Sequence, residues 1–345
     1  MKNIVVSAKP FPFLLKILIP IFIGLSVTIL LYSREFSLGR IDSFPSTLTD
    51  GIAVGLAFLF MGMKDFAFSL RYRYMSHPAL LSWKGAIKTN YLCEFTSAVT
   101  PSAMGGSALL VVYLHHEGIT AGRSTAVLIS TLFLDELIFV LICPFCLLLF
   151  SPNELFGISL GLSSGLKYTF SFVYIVIAVY ATLLYIALFR KPEVIQNILS
   201  ILVKLPFLRR YEPAVLRVSQ DIKISSEEMK KQPFSFWIKA FAITSWAWIS
   251  RYAVACALFF PFIPTGKLIL VLCRQFILWI VMMITPTPGG SGVSEYLFSQ
   301  YYSDMLTTRG DILFITCFWR IMTYYFYLFI GLSILPTWMK KKLKK

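Results

Sequence analysis

The stretch that decides the fold is Thr285-Pro286-Thr287-Pro288-Gly289-Gly290-Ser291-Gly292, followed directly by Val293-Ser294-Glu295. An apolar run, residues 268–284, leads into it. Its prolines lack backbone N–H donors and its glycines lack side chains, so a helix does not continue through it unbroken. Because non-helical backbone at membrane depth survives only beside protein or a water-filled cavity, the stretch predicts a broken membrane helix.

A second, weaker break has the sequence Thr100-Pro101-Ser102-Ala103-Met104-Gly105-Gly106-Ser107 and follows the helix-like segment 86–99. Two interrupted apolar segments in corresponding halves of a chain are typical of transporters and point to the binding site. The two breaks therefore supply the candidate substrate-binding residues Gly105, Gly106, Ser107, Thr287, Gly289, Gly290 and Ser291.

Composition predicts the class of protein. Of the 345 residues, 57% are hydrophobic and 14% are charged, and the mean hydropathy is +0.73. This is more apolar surface than one soluble core buries, so we expect an all-α protein that crosses a membrane several times. The formal net charge of +15 collects in particular loops. Such loops indicate contact with anionic inner-leaflet lipids, and not with nucleic acid.

Apolar segments that approach the roughly 20 residues of a membrane span recur along the chain. They are residues 14–32, 48–63, 86–112, 123–150, 166–189, 236–260, 267–302 and 311–335. The first follows a basic amino terminus without a small-residue cleavage site, so we expect it to remain as an uncleaved span.

Loop charges predict the orientation. One basic loop contains Lys64, Arg71, Arg73, Lys84 and Lys88, another is 190–235, and lysines end the chain. By the positive-inside rule, these loops and both termini are expected in the cytoplasm. The protein is accordingly expected in the cell (inner, cytoplasmic) membrane. The loops 33–47, 151–165 and 261–266 carry no basic excess and are expected outside.

Counting the crossings then requires two segments to enter and leave on one face. The cytoplasmic Lys84 and the external Asn153 are separated by two apolar segments, so the broken segment 86–112 is predicted to be a re-entrant hairpin. The same count makes 267–302 a second hairpin, entering from the opposite face. We therefore predict about six full spans and two hairpins in a single integral membrane domain, residues 1–345.

The two halves of the chain keep a common register. Leu48 and Phe236, Gly105 and Gly289, and Arg123 and Asp311 are separated by nearly equal numbers of residues. This predicts two repeats of inverted topology, 1–150 and 166–335, with a cytoplasmic insertion at 190–235 in the second. The insertion is either an amphipathic helix on the inner leaflet or a solvated connector.

Charged residues within apolar segments are costly unless they are paired, hydrated or functional. They are Glu94, Asp135, Glu136, Arg251, Arg274, Glu295 and Arg320. Arg320 and Arg274 are candidates for binding substrate, and the alternative for Arg320 is an ion pair with Asp135 or Glu136. Arg251 is a further candidate for ion pairing. Glu295 is expected either to pair with an arginine or a cationic headgroup, or to cap the helix after the break.

These residues resemble those of a known family. The motif at 286–295, Phe318-Trp319-Arg320 with the later Gly331, and the stretch 100–107 followed by Tyr113 and Glu117-Gly118-Ile119 are similar to the lysylphosphatidylglycerol synthase transmembrane, or flippase-like, family. The resemblance covers nearly the whole chain. It departs at Ser107-Ala108-Leu109, where many members carry a glutamate and then an arginine.

The resemblance implies a helical module that moves a lipid, or lipid-linked, headgroup between leaflets. In bifunctional members a soluble aminoacyl-transfer domain follows this module. This chain ends at Lys345, shortly after its last apolar segment, so we expect no such domain and no aminoacylation.

The residues themselves favour the same function. Two half-helix amino termini that meet in a cavity present positive dipole to an anionic group such as phosphate, and arginines add charge-assisted donors. Phospholipids, aminoacylated lipids and polyprenyl carriers all offer such a phosphate.

The alternative function is a membrane-embedded transferase that acts on a phospholipid or polyprenyl phosphate, with Asp135 and Glu136 as its acidic pair. His115 and His116 lack a third ligand nearby, so we expect no metal, and no motif indicates a cofactor.

Overall fold

The backbone is α-helical, and the residues described contain no β-strand, which confirms the predicted all-α membrane fold. The structure is a computed structural model that describes residues 47–77, 79–100, 105–157, 162–190, 227–306 and 308–343, together with residues 26, 29, 30 and 33. The predicted first span, 14–32, and most of the insertion 190–235 lie outside the described residues.

The helices of the first half begin after the Thr47 cap, whose hydroxyl accepts from the Asp50 N–H while the Asp50 carboxylate accepts from the Thr47 N–H in return. This reciprocal cap satisfies donors that a helix start otherwise leaves free. The elements are α1 Leu48–Met75, α2 Trp83–Val99, α3 Gly105–His116, α4 Ala121–Leu149, α5 Pro152–Phe156 and α6 Leu162–Tyr185, which continues as the π-helical turn Ile186–Arg190.

The second half begins at α7 Phe234–Phe259, followed by the 3-10 turn Thr265–Lys267 and α8 Leu268–Met282. After the proline-glycine stretch come α9 Val293–Tyr301, α10 Arg309–Arg320, the π-helical segment Ile321–Tyr325 and α11 Phe326–Leu343. We call residues 100–104 the first break and residues 283–292 the second break.

Within the described residues, five helical segments are long and apolar enough to cross a membrane: Leu48–Met75, Ala121–Leu149, Ser164–Arg190, Thr265–Met282 and Gly310–Pro336. Helix α7 has 26 residues but is not among them. Its Lys239, Arg251 and tryptophans lower its hydropathy, so its place in the bundle rests on packing: α1 and α7 form the most extensive pair among the described helices.

The prediction that α1 ends before a basic loop at Lys64 is wrong. Helix α1 runs on to Met75, and the side chains of Lys64 and Arg71 are both 3% exposed. Both cations pair with carboxylates inside the bundle, namely Lys64 with Glu94 and Arg71 with Asp135. Charges that looked like a solvated loop are therefore buried and paired.

Each break lies at the tip of an antiparallel helix pair. In the first pair, a β-carbon placed on Gly85 near the start of α2 would lie 3.1 Å from the Glu117 carboxylate, just beyond the end of α3. In the second pair, Arg274 on α8 donates to the carbonyl of Tyr301 at the end of α9, at 3.1 Å. Helix α8 together with the preceding 3-10 turn is long enough to span, but the chain then returns along α8. That both pairs are re-entrant, and that the halves are inverted repeats, stay predictions.

Cysteine labelling tests the first hairpin. Ser82 caps α2 and Thr120 caps α4, so these positions flank the pair α2 and α3. Single cysteines at Ser82 and Thr120 are expected to react with a membrane-impermeant reagent from the cytoplasmic face, and a cysteine at the exposed Asn153 from the outside. Labelling of Ser82→Cys and Thr120→Cys from opposite faces would show that the segment spans, and the inverted repeat would fail with it.

Candidate functional site

The two breaks touch each other in the interior of the bundle. The N–H of Gly289 donates to the carbonyl oxygen of Thr100 at 3.0 Å. Gly289 has φ +56°, and a β-carbon there would lie 2.6 Å from the Ala98 carbonyl oxygen and would overlap the Tyr324 ring. Only glycine combines this left-handed backbone with so close an approach.

Three N–H groups of the second break are satisfied within the break or by the helix that follows it. The N–H of Gly290 donates to the Thr287 carbonyl and that of Ser291 to the Pro288 carbonyl, both at 3.0 Å. The N–H of Gly292 donates to Glu295 Oε2 at 2.8 Å. The Ser291 hydroxyl bonds to the Pro288 carbonyl and to the Tyr324 hydroxyl at 2.8 and 2.9 Å, so Ser291 supports the loop. Thr287 is half-buried, and no hydrogen bond of its hydroxyl is found within the described chain.

At the start of α3, hydroxyls of earlier residues take the first two backbone donors. Gly105 N–H donates to Thr100 Oγ1 at 2.9 Å, and Gly106 N–H donates to Ser97 Oγ at 3.1 Å. Gly105, Gly106 and the half-buried Ser107 do not line the cavity described below. The N–H groups of Gly105, Gly106 and Gly292 are therefore taken by the protein itself and are not free for an anion.

A cavity of about 80 Å³, which we call the central cavity, lies between the end of α2, α7, α8, the second break and α10. A water molecule needs about 10–15 Å³ by this measure, so the cavity admits a group larger than one water, such as a phosphate. Its lining includes Glu94, Arg251, Tyr252, Trp279, Gly289 and Arg320. Of the residues at the two breaks proposed from the sequence, only Gly289 and Gly290 line it.

Arg320 and Glu295 form a buried ion pair at one wall of the central cavity. Arg320 Nε donates to Glu295 Oε1 at 2.8 Å, Nη2 donates to the Gly289 carbonyl at 3.3 Å, and the guanidinium lies 4.1 Å from the Tyr324 ring centroid. Glu295 Oε2 also accepts from Gly292 and Ser294, so one carboxylate both caps α9 and holds the arginine. No hydrogen bond of Arg320 Nη1 is found among the described residues.

A second ion pair occupies the opposite side. Glu94 on α2 lies between two cations, with its Oε1 2.7 Å from Lys64 Nζ and 3.0 Å from Arg251 Nη1. Arg251 also stacks on Trp279, at 5.0 Å from the ring centroid. Arg251 and Glu94 line the central cavity, and Lys64 lies behind them.

A hydrogen-bond network extends from Lys64 away from the cavity. Lys64 Nζ lies 3.0 Å from Asp65 and donates to the Tyr327 hydroxyl at 2.9 Å. Tyr327 and Asn90 both donate to the Asp65 carboxylate, at 3.1 and 3.0 Å. Lys64 was predicted to lie in a loop, and Asp65 was not among the predicted site residues. The register of the predicted repeat was the available signal, since it matches Arg251 with a position next to Lys64.

Arg274 lies away from the central cavity, although Gln275 lines it. The guanidinium is 1% exposed and is occupied by the Asp304 carboxylate at 2.6 Å and by the carbonyls of Tyr301 and Glu154. The Glu154 carbonyl belongs to the short helix α5. The Ser151 hydroxyl and N–H donate to the Glu154 side chain and hold its pKa below the ordinary value. Arg274 therefore fastens the open end of the second hairpin, and the substrate-binding role suggested for it is not supported.

This role of Arg274 predicts a loss of stability. Arg274→Ala removes a buried guanidinium and leaves the Asp304 carboxylate and two carbonyls without their donor, so thermal unfolding in detergent should show a loss of about 3 kcal/mol. Lys267→Ala, on the exposed turn before α8, is the matched control and should change little. A stable Arg274→Ala protein that loses transport would restore the substrate-binding interpretation.

The Asp135 and Glu136 pair on α4 does not meet Arg320. Asp135 accepts from Arg71 and from Trp248 Nε1, the latter at 2.7 Å. Glu136 is buried beside it, and no ion pair of Glu136 is found in the part of the chain described. The suggested ion pair between Arg320 and this doublet is therefore not formed.

These features define a multi-pass helical membrane protein with a charged interior cavity where two broken helices meet. The model of the family described as "Lysylphosphatidylglycerol synthase TM region" matches residues 14–331, and the chain belongs to that family, as the motifs indicated. A "UPF0104 membrane protein" of Archaeoglobus fulgidus is 23% identical over 283 residues, which cover 77% of this chain and 80% of that relative. No solved structure matches the chain.

Proposed function

We propose that this protein moves a lipid, or a lipid-linked molecule, between leaflets by admitting its phosphate headgroup to the central cavity. The observation that carries the proposal is the pair of arginines there. Arg251 and Arg320 line one cavity, and each has donors without a hydrogen bond among the described residues. Guanidinium groups are the donors best suited to phosphate oxygens.

A third group supports the same assignment. The Tyr252 side chain is 3% exposed and lines the central cavity, and its hydroxyl has no hydrogen-bond partner in the described residues. A buried hydroxyl without a partner is costly, and such groups in native proteins commonly face a ligand or water. A phosphate in the cavity supplies the missing acceptor.

Exchange of partners explains how the empty cavity tolerates its charges. Without substrate, Glu295 and Glu94 hold the arginines, so no charge is buried alone. When the phosphate enters, it takes the free guanidinium edges and loosens these pairs. The acyl chains remain in the bilayer, and the contact of Gly289 with Thr100 joins the two hairpins whose relative movement would open the cavity to either leaflet.

Reconstitution tests the proposal. Purified protein is placed in vesicles that carry phospholipid labelled on an acyl chain, and a reductant that cannot cross the membrane bleaches the exposed label. We expect bleaching beyond the outer-leaflet fraction. Bleaching equal to that of protein-free vesicles, with and without imposed proton and sodium gradients, would overturn the proposal.

A further inference from the structure

The charges around the central cavity cancel. Three cations, Lys64, Arg251 and Arg320, are paired with three carboxylates. The carboxylates are Asp65, Glu94 and Glu295. The protein thus offers a phosphate two arginines but no surplus positive charge.

This balance sets a condition on the ligand. A headgroup that brings a phosphate alone leaves one negative charge uncompensated in a low-dielectric interior, which is costly. A headgroup that joins an ammonium to its phosphate brings no net charge, and its ammonium offers a new partner to Glu94 when Arg251 turns to the phosphate. The pairs are then exchanged and not broken.

Side-chain atoms at the central cavity that make no hydrogen bond among the described residues match such a headgroup. On the donor side, Arg251 bonds to Glu94 through Nη1, and no hydrogen bond of its Nε or Nη2 is found in the described chain. On the acceptor side, both cations near Glu94 contact Oε1, and within the same residues no hydrogen bond reaches Oε2. A phosphate site and an ammonium site therefore lie side by side in one cavity.

Aromatic rings complete the ammonium site. Trp279, Trp319 and Tyr324 line the central cavity, and they already lie against guanidinium groups, with Arg251 5.0 Å from the Trp279 centroid. Ring faces attract cations, most strongly those of tryptophan. When Arg251 turns toward the phosphate, the Trp279 face and Glu94 Oε2 become available to the ammonium.

The geometry points to a zwitterionic headgroup, with a phosphate and an ammonium in one ligand, as the substrate class of the central cavity. Arg251 and Arg320 take the phosphate, and Glu94 with Trp279 takes the ammonium. This inference rests on the proposed translocation and specifies what is translocated.

A comparison of the transfer rates of two lipids, each measured in separate vesicles, tests the inference. Vesicles contain acyl-labelled lipid with either a phosphoethanolamine or a phosphoglycerol headgroup, so the probes differ in the ammonium and in net charge. We expect the first to be moved about tenfold faster, which corresponds to about 1.4 kcal/mol. Glu94→Gln removes the ammonium partner and leaves the cavity positive, so this variant should lose or reverse the preference. Glu136 is a buried carboxylate outside the cavity, so the control variant Glu136→Gln should keep the preference for phosphoethanolamine lipid.

The outcomes separate the two proposals. Equal rates for both lipids, or a preference for phosphoglycerol, would overturn the zwitterionic headgroup and leave translocation standing. Movement of neither lipid would overturn the proposed function itself. The wild-type ratio decides the question even if Glu94→Gln does not fold, because it needs no variant.

Discussion

Arg320→Ala is expected to reduce lipid transfer in reconstituted vesicles by about a hundredfold or more, since truncating a buried charged partner costs about 3 kcal/mol or more. The guanidinium is 4% exposed, lines the central cavity and retains a free donor edge. Arg320→Lys should recover part of the activity, because an ammonium keeps the charge but lacks the planar fork that holds two oxygens.

Controls separate binding from folding in this experiment. Arg320→Ala alone leaves Glu295 buried without its cation, so the variant Arg320→Ala with Glu295→Gln removes that penalty. This double variant should fold and remain inactive. Glu295→Gln alone should impair transport, and it should also lower stability because the carboxylate caps α9. Normal transport by the folded double variant would remove Arg320 from the site.

Gly289→Ala is expected to be the most damaging small substitution at the breaks. A left-handed φ of +56° costs a residue with a β-carbon about 1–2 kcal/mol. The added atom would also press on the Ala98 carbonyl and the Tyr324 ring. Together these effects should destabilise the protein by about 3 kcal/mol or more in thermal unfolding and separate the two hairpin tips.

Gly62→Ala is the matched control for this substitution. Gly62 lies on the exposed face of α1 with no atom within 4 Å of an added β-carbon, so alanine should be neutral or slightly stabilising there. A Gly289→Ala protein as stable and as active as the wild type would contradict the contact between the breaks.

Local chemistry explains which parts of the fold were predictable. The break at 285–292 was evident because proline and glycine act on their own backbone, and the helix indeed stops at Met282 and restarts at Val293. The extent of α1 was not evident, because Lys64 and Arg71 look like loop residues until their partners on α2 and α4 are known. Whether a buried charge is tolerated depends on tertiary contacts.

The same distinction applies to the site. All four charges were singled out from the sequence, but Arg320 and Glu295 are only 25 residues apart, whereas Arg251 and Glu94 are 157 residues apart and their pairing is evident only in the folded chain. The N–H groups of Gly105 and Gly106 are not free for an anion. Ser97 and Thr100 take those donors, as hydroxyls near a helix break commonly do.

Density for a lipid in the central cavity tests the central claim most directly. The protein is purified in lipid nanodiscs with added phosphoethanolamine lipid at saturation, and its structure is determined experimentally. We predict a phosphate at hydrogen-bond distance, about 3 Å, from the guanidinium groups of Arg251 and Arg320. Lipid bound only on the outer surface, with both arginines still held by Glu94 and Glu295, would contradict the account.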